Sequence, residues 1–185
     1  MGALISSFIA LCFVVSSYFF KERIYYLLFQ SLCIVFLILS YLFDGNYFAM
    51  VGLIIGLGRV LVYFLYERKN VVAPVWVAVL ICLATLSAYC VVNLWILKNA
   101  KPLDILNLAL LCLYAVIMRI RNMELLRWLI VIPTAMAILY NALCGAAVFA
   151  VISYVFEVCA NIYAIVKFNI LEKRTKKTPN AKTPT

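Results

Sequence analysis

One positively charged side chain, Arg59, lies deep inside a long apolar stretch of the sequence, nine positions before Arg68 at the end of that stretch. At 1.5 Å per helical residue, Arg59 is about 13 Å from that end. Insertion of an arginine near the centre of a membrane helix costs about 2.5–3.5 kcal/mol. A chain that keeps such a residue is expected to provide an oppositely charged partner or a wet cavity for it.

Glu157 is the candidate partner, because it is the one acidic residue in the middle of an apolar stretch. Asn161 follows it by four residues and shares its helical face. Two interpretations fit these residue types. In the first, Arg59 and Glu157 face the interior and neutralise each other as a structural pair. In the second, Arg59, Glu157 and Asn161 bind a substrate or a proton.

Catalytic chemistry is not expected. Hydrolysis needs a nucleophile with a base or a pair of carboxylates, and the chain has no His and a single mid-membrane acid. The seven cysteines are scattered and form no CxxC pair, so no metal site is expected. We therefore predict that the protein is not an enzyme and carries no cofactor.

Seven apolar runs carry these residues. A hydrocarbon core of about 30 Å requires roughly 20 residues of helix, and lipid leaves backbone groups without partners outside the segment. With 68% hydrophobic residues and a mean hydropathy of +1.11, a water-soluble domain is excluded. The sequence predicts an all-α polytopic membrane protein with seven transmembrane helices: Ala3–Phe20, Ile24–Phe43, Tyr47–Tyr66, Val71–Leu97, Leu103–Met118, Leu125–Leu143 and Ala146–Val166.

The net charge of +9 is distributed as in a membrane protein and opposes a nucleic-acid-binding interpretation. If the runs cross in order, thirteen of the Lys and Arg residues fall on one face and two, Lys98 and Lys101, on the other. By the positive-inside rule the N-terminus is outside and the C-terminus cytoplasmic. The partners that fit are the lipid bilayer, a small polar solute and a second copy of the chain.

A shift of 100 residues superimposes the first three runs on the last three. The basic turn Lys21-Glu22-Arg23 then coincides with Arg121-Asn122-Met123, Gly45 with Gly145, and Tyr63 with Tyr163. An intervening helix restores the direction of the chain, so the two units would be parallel repeats, as in some transporters. The predicted organisation is a first three-helix unit (1–70), a linker helix (71–100), a second three-helix unit (101–170) and a basic, disordered cytoplasmic tail (171–185).

Two further patterns concern packing. The small-residue spacing Gly52-x-x-x-Gly56 predicts a close approach of helices inside the protomer. Tyrosines near the ends of runs, among them Tyr26 and Tyr63, are expected to be interfacial anchors.

Several segments resemble the YgjV family of bacterial inner-membrane proteins. In the first half these are Glu22-Arg23-Ile24-Tyr25-Tyr26 before an apolar helix, and Gly58-Arg59-Val60. In the second half they are Met123-Glu124-Leu125-Leu126-Arg127-Trp128 and Asn161-Ile162-Tyr163. The resemblance covers most of residues 20–170 and departs from the family at Gly56, where members often carry Asn. It implies a bacterial inner membrane and an architecture similar to that of SWEET/PQ-loop carriers of small solutes.

The leading functional hypothesis is a carrier or facilitator of a small polar solute, with a mid-membrane site between the two three-helix units. The alternative is a scaffold or accessory subunit that transports nothing and contains a structural Arg59–Glu157 pair. The first hypothesis predicts a solvent-reachable cavity lined by both residues. The second predicts a dry interior.

Overall fold

The computed structural model describes residues 2–43, 47–91, 102–143 and 148–171, and the elements formed by these residues are all helical. The all-α prediction is therefore confirmed for this part of the chain. Helix α7 continues without interruption into a π-helical segment, Ile165–Leu171. The α-helices are α1 (Gly2–Ser17), α2 (Arg23–Phe43), α3 (Tyr47–Arg68), α4 (Val75–Tyr89), α5 (Pro102–Ile117), α6 (Met123–Leu143) and α7 (Val148–Ala164).

The apolar character of these helices is that of membrane spans. Within the described ranges, three segments are long and apolar enough to cross a bilayer: Arg23–Phe43, Met123–Tyr140 and Val151–Ile170. Shorter apolar helices accompany them, including Gly2–Ser17 and Val75–Tyr89. A helix of 16 residues is about 24 Å long, somewhat less than a typical hydrocarbon core. Large apolar side chains such as Leu4, Phe8 and Leu80 are exposed on the outside of the bundle, as expected for contact with lipid.

Local chemistry explains where the helices turn. Helix α3 ends in a Schellman motif, in which Asn70 adopts a left-handed φ of 55° and the N–H of Val71 donates to the carbonyl of Tyr66 at 3.1 Å. Pro74, in an extended conformation, precedes α4. The side-chain oxygen of Asn122 accepts from the N–H of Glu124 at 2.9 Å and so caps α6.

Each described helix packs against the next along the chain, and α7 packs against α1, so the helices form a closed ring. Hydrogen bonds also join α3 directly to α5: the hydroxyl of Tyr63 donates to the carbonyl of Ala115 at 2.7 Å. Helix α4 contacts both α3 and α5. Its buried residues are few, and Val75, Trp76, Val79 and Leu80 are exposed.

The junctions α1–α2, α3–α4 and α5–α6 and the end of α7 lie at one end of the ring, which we call the basic end. Arg127 there donates to the carbonyl of Phe20 at 2.7 Å, and Arg119 donates to that of Ala73 at 2.8 Å. The other end, the opposite end, contains a hydrogen bond between the hydroxyls of Ser7 and Ser40 at 2.7 Å. The predicted glycine turns at Gly45 and Gly145, the end of the linker run beyond Val91 and the tail from Glu172 lie outside the described residues.

Candidate functional site

A cavity of about 470 Å³ lies inside the ring of helices, and each of the seven described helices contributes at least one residue to its wall. Helix α1 contributes Val14, α6 contributes Ile130, and α7 contributes Tyr154 and Glu157. The remaining residues that line it are Tyr26, Gln30, Cys33, Ile34, Leu37, Tyr41, Gly52, Leu53, Ile55, Gly56, Arg59, Val60, Ile81, Thr85, Ala88, Tyr89, Leu108, Leu111, Tyr114 and Met118. An internal cavity of this size is typical of small-molecule sites.

Arg59 reaches this cavity from the middle of α3 and is half-buried. One guanidinium nitrogen, Nη1, donates to the carbonyl of Leu111 at 3.2 Å. The guanidinium carbon lies 5.7 Å from the ring centroid of Tyr114, within the range of a cation–π contact. A second guanidinium nitrogen, Nε, is buried and has no hydrogen-bond partner among the described residues. In the part of the chain that the structure describes, this donor of Arg59 therefore stays unsatisfied.

Glu157 lines the same cavity from α7. Its Oε1 accepts a hydrogen bond from the hydroxyl of Tyr18 at 2.6 Å, a short distance typical of a bond to a carboxylate. Tyr18 is buried and packs edge to face against Tyr26, with ring centroids 5.6 Å apart. The phenol of Tyr18 thus fixes the carboxyl group from the α1 side.

Arg59 and Glu157 do not form an ion pair, although both belong to the part of the chain that the structure describes. Each is held by neutral partners: a backbone carbonyl and an aromatic ring for Arg59, a phenol for Glu157. The cavity is therefore lined by a guanidinium group and a carboxyl group that are not in direct contact with each other. This arrangement can bind a polar molecule between or beside them.

Asn161, the third predicted site residue, lies elsewhere. It is buried, and it is not among the residues that line the cavity. Its side-chain amide donates to the carbonyl of Arg127 at 2.9 Å. The structure thus brings Arg59 and Glu157 to one cavity and places Asn161 in the packing between α6 and α7.

The glycines of α3 border the cavity, and the predicted close helix approach at Gly52 and Gly56 is wrong. A Cβ atom built at either glycine would meet no atom within 4 Å outside the helix's own backbone and neighbouring residues. Both glycines line the cavity. A spacing of four residues places both glycines on one face of the helix. The pattern does not indicate whether that face packs against another helix or borders a cavity.

Tyrosines that were not predicted as site residues supply many of the polar groups in the cavity wall. Five of them line it: Tyr26, Tyr41, Tyr89, Tyr114 and Tyr154. Tyr26 and Tyr63, expected at the membrane interface, are 0% and 1% exposed. Tyr26 is one helical turn after Arg23, and a phenol at that point can lie at the interface or turn inward. The anchor prediction was based on the position of these two tyrosines near the ends of apolar runs. In the folded protein, both side chains are packed inside the helical bundle.

A set of arginine contacts joins the helix ends at the basic end, and we call it the arginine latch (Arg23, Glu67, Arg121, Arg127 and their acceptors). Arg23, 6% exposed, pairs with Glu67 and also donates to the carbonyl of Met118. Glu67 accepts a second guanidinium, from Arg121, at 3.4 Å. The first half of the chain is thereby tied to the end of α5.

In the other half of the arginine latch, an arginine of the second half of the chain contacts the first half. Arg127, 3% exposed, donates to the carbonyl of Phe20 at 2.7 Å and to the side-chain oxygen of Asn169 at 3.3 Å. The amide of Asn169 donates in turn to the carbonyl of Glu124 at 3.3 Å. An arginine near the start of α2 thus binds the end of α5, and an arginine near the start of α6 binds the end of α1.

Apolar helices exposed to the outside, closed around a cavity that two ionisable side chains line, are typical of a helical membrane protein. A family model described as bacterial inner membrane protein, Imp-YgjV, matches residues 2–172. The chain belongs to this family of bacterial inner membrane proteins. The comparison with curated proteins found no match, and the comparison with solved structures found none either.

Proposed function

We propose that this inner membrane protein is a carrier or facilitator of a small polar solute, which binds in the central cavity. The observation that supports this most is the presence of Arg59 and Glu157 in one cavity without an ion pair between them among the described contacts. Ionisable groups inside membrane helices are costly and commonly mark substrate or ion pathways. A cavity with unused hydrogen-bonding capacity provides a place for such a solute.

The scaffold alternative predicts a dry interior and a neutral Arg59–Glu157 pair. The described residues instead enclose a cavity. Glu157 accepts a hydrogen bond from Tyr18, and Arg59 donates to the carbonyl of Leu111, so neither bonds directly to the other. The carrier is therefore the better supported of the two functions. No catalytic step is part of the proposal.

The proposal includes seven spanning helices arranged as two parallel triplets, α1–α3 and α5–α7, with α4 as the connecting helix. Two features support it. Helix α4 contacts both α3 and α5, while the Tyr63 hydroxyl joins α3 directly to α5, as expected if α4 connects the two triplets. The two halves of the arginine latch are also reciprocal, because each triplet supplies an arginine to the end of the first helix of the other.

We further propose that the basic end faces the cytoplasm, with the N-terminus on the other side, following the positive-inside rule. Arg23 and Arg127 at the basic end are buried and donate to backbone carbonyls at the ends of α5 and α1. On the opposite side, the cavity extends to Tyr41 and to the exposed Gly52. The described conformation is then closed toward the cytoplasm, and rupture of the latch would open that side in alternating access.

The glycines of α3 offer a test that leaves the charged residues intact. Gly56→Leu would fill the cavity without meeting protein atoms at its Cβ, and Gly58→Leu makes the same change on an exposed position of the same helix that does not line the cavity. Purified wild type and both variants would be screened against a panel of polar metabolites by thermal shift, and every solute that binds would be tested for counterflow in proteoliposomes.

We expect at least one solute to raise the Tm of wild type and of Gly58→Leu, to leave Gly56→Leu unchanged, and to exchange across the liposome membrane. A panel without a stabilising solute, or solutes that stabilise all three proteins equally, would contradict a carrier site in this cavity.

A further inference from the structure

The solute class follows from the unlike charges of the cavity. We infer that the cavity binds a zwitterionic solute of the amino-acid type, whose anionic group contacts Arg59 and whose cationic group contacts Glu157, an inference that rests on the proposed carrier function. Among the described residues that line the cavity, Arg59 and Glu157 are the two of acidic or basic type. They have opposite signs, so a ligand that matches both is itself neutral overall and charged at two points.

The Arg59 side of the cavity has the chemistry of an anion site. The contact with Leu111 uses one N–H group of a guanidinium, and Nε is buried without a partner in the described part of the chain. A guanidinium presents five N–H donors in a planar fork that fits a carboxylate through two parallel hydrogen bonds. A carboxylate in the cavity would offset the charge of Arg59, which has no anionic partner among the described residues.

The Glu157 side has the chemistry of a cation site. Tyr18 satisfies one oxygen, Oε1, and a carboxylate has two oxygens with about four acceptor positions. Tyr154 lies three residues earlier on the same helix and also lines the cavity, where a phenol ring can contact an ammonium group through its face. An ammonium group beside Glu157 and Tyr154 is therefore stabilised by a charge and by a ring.

A solute with a single charge fits the cavity less well. A mono-anion would offset Arg59 and leave Glu157 in the same cavity without a counter-charge, and a mono-cation would do the reverse. A charge removed from bulk water without a partner is unfavourable. The cavity of about 470 Å³ also exceeds the space that a single inorganic ion requires, and it accommodates an amino acid with accompanying water.

Matched compounds test the inference on the purified full-length protein. The probes are alanine, leucine and phenylalanine, each with the acid that lacks its amino group and the amine that lacks its carboxylate, together with the other proteinogenic amino acids. Binding is measured by thermal shift on wild type, Arg59→Gln, Glu157→Gln and Gly58→Leu, the last as a variant outside the cavity.

We expect at least one amino acid to bind wild type and Gly58→Leu, and its acid and amine analogues to bind about tenfold more weakly or worse. In Glu157→Gln the preference for the amino acid over its deaminated acid should disappear, and in Arg59→Gln the preference over the decarboxylated amine should disappear. If a variant does not fold, the inference is tested on wild type alone, by comparing the binding of the amino acid with that of its acid and amine analogues.

Failure of every amino acid to bind, or equal binding of the acid or amine analogue by wild type, would overturn the zwitterion inference. If a solute of another class then binds wild type and Gly58→Leu but not Gly56→Leu, the carrier proposal stands without it. If no solute distinguishes Gly56→Leu from wild type, the carrier proposal falls as well.

Discussion

Arg59 and Glu157 each remain in the interior through contacts with uncharged groups. The Leu111 carbonyl and the Tyr114 ring stabilise the guanidinium, and the Tyr18 hydroxyl stabilises the carboxyl group. Neutral partners position a charge without cancelling it. A ligand can therefore interact with each charge without first displacing an ion pair.

Tyr18→Phe tests whether the phenol positions Glu157 for binding. Tyr63→Phe is the matched control, because Tyr63 is equally buried and its hydroxyl donates to the Ala115 carbonyl. Each substitution removes one buried hydrogen bond, so each should lower the stability by about 0.6–1.7 kcal/mol, the range of hydrogen bonds between membrane helices. We expect only Tyr18→Phe to weaken solute binding, measured by the ligand-induced change in Tm. Equal binding by both variants would assign Tyr18 a purely structural role.

Some of these residues could be predicted from sequence. A charge surrounded by apolar residues is conspicuous, which identified Arg59 and Glu157. Arg23 and Arg127 were missed, because an arginine at the end of an apolar run is usually a marker of the membrane surface. Their burial results from the carbonyls of Met118 and Phe20, which are 95 and 107 residues away in sequence. No local pattern contains that information.

Helix boundaries followed the apolar runs closely wherever a charge or a proline ends the run. The predicted run Ile24–Phe43 corresponds to α2, Arg23–Phe43. Helix α1 ends at Ser17, before the predicted Phe20, because Tyr18, Phe19 and Phe20 each donate to a carbonyl three residues earlier and so tighten the turn. Helix α4 begins at Val75 instead of Val71 because Pro74 is extended.

The helix ends at the basic end are joined by the arginine latch, and Glu67→Gln tests its strength. Glu67 accepts from Arg23 and Arg121, and glutamine at this position keeps one acceptor oxygen but removes the negative charge that faces the buried Arg23. We expect a loss of about 1–3 kcal/mol in the free energy of unfolding. Glu22→Gln makes the same change in net charge on an exposed side chain at this end, and it should change the stability by less than about 0.5 kcal/mol.

Denaturant titration of both variants provides the comparison. A Glu67→Gln protein as stable as Glu22→Gln would mean that the latch does not hold the helix ends together. A large loss for Glu67→Gln alone would agree with a latch that must break before the basic end can open.

As a whole molecule, the protein is a ring of apolar helices around a cavity. Hydropathy and charge distribution predicted the membrane class, and the family match agrees with it. The lining of the cavity was not predictable, because it depends on which side chains of the seven described helices meet in the folded protein.

The most direct test of this account is the sided labelling of a cysteine at position 56, introduced as Gly56→Cys after replacement of the native cysteines, among them Cys33 in the cavity wall. A charged, membrane-impermeant thiol reagent would be applied to right-side-out and to inverted inner-membrane vesicles. Gly58→Cys, exposed on the same helix outside the cavity, is the control. We predict that Gly56→Cys reacts from the face opposite the basic end and that Gly58→Cys reacts from neither. Labelling of a folded Gly56→Cys protein only from the basic face, or from no face, would contradict a solvent-reachable cavity closed at the basic end.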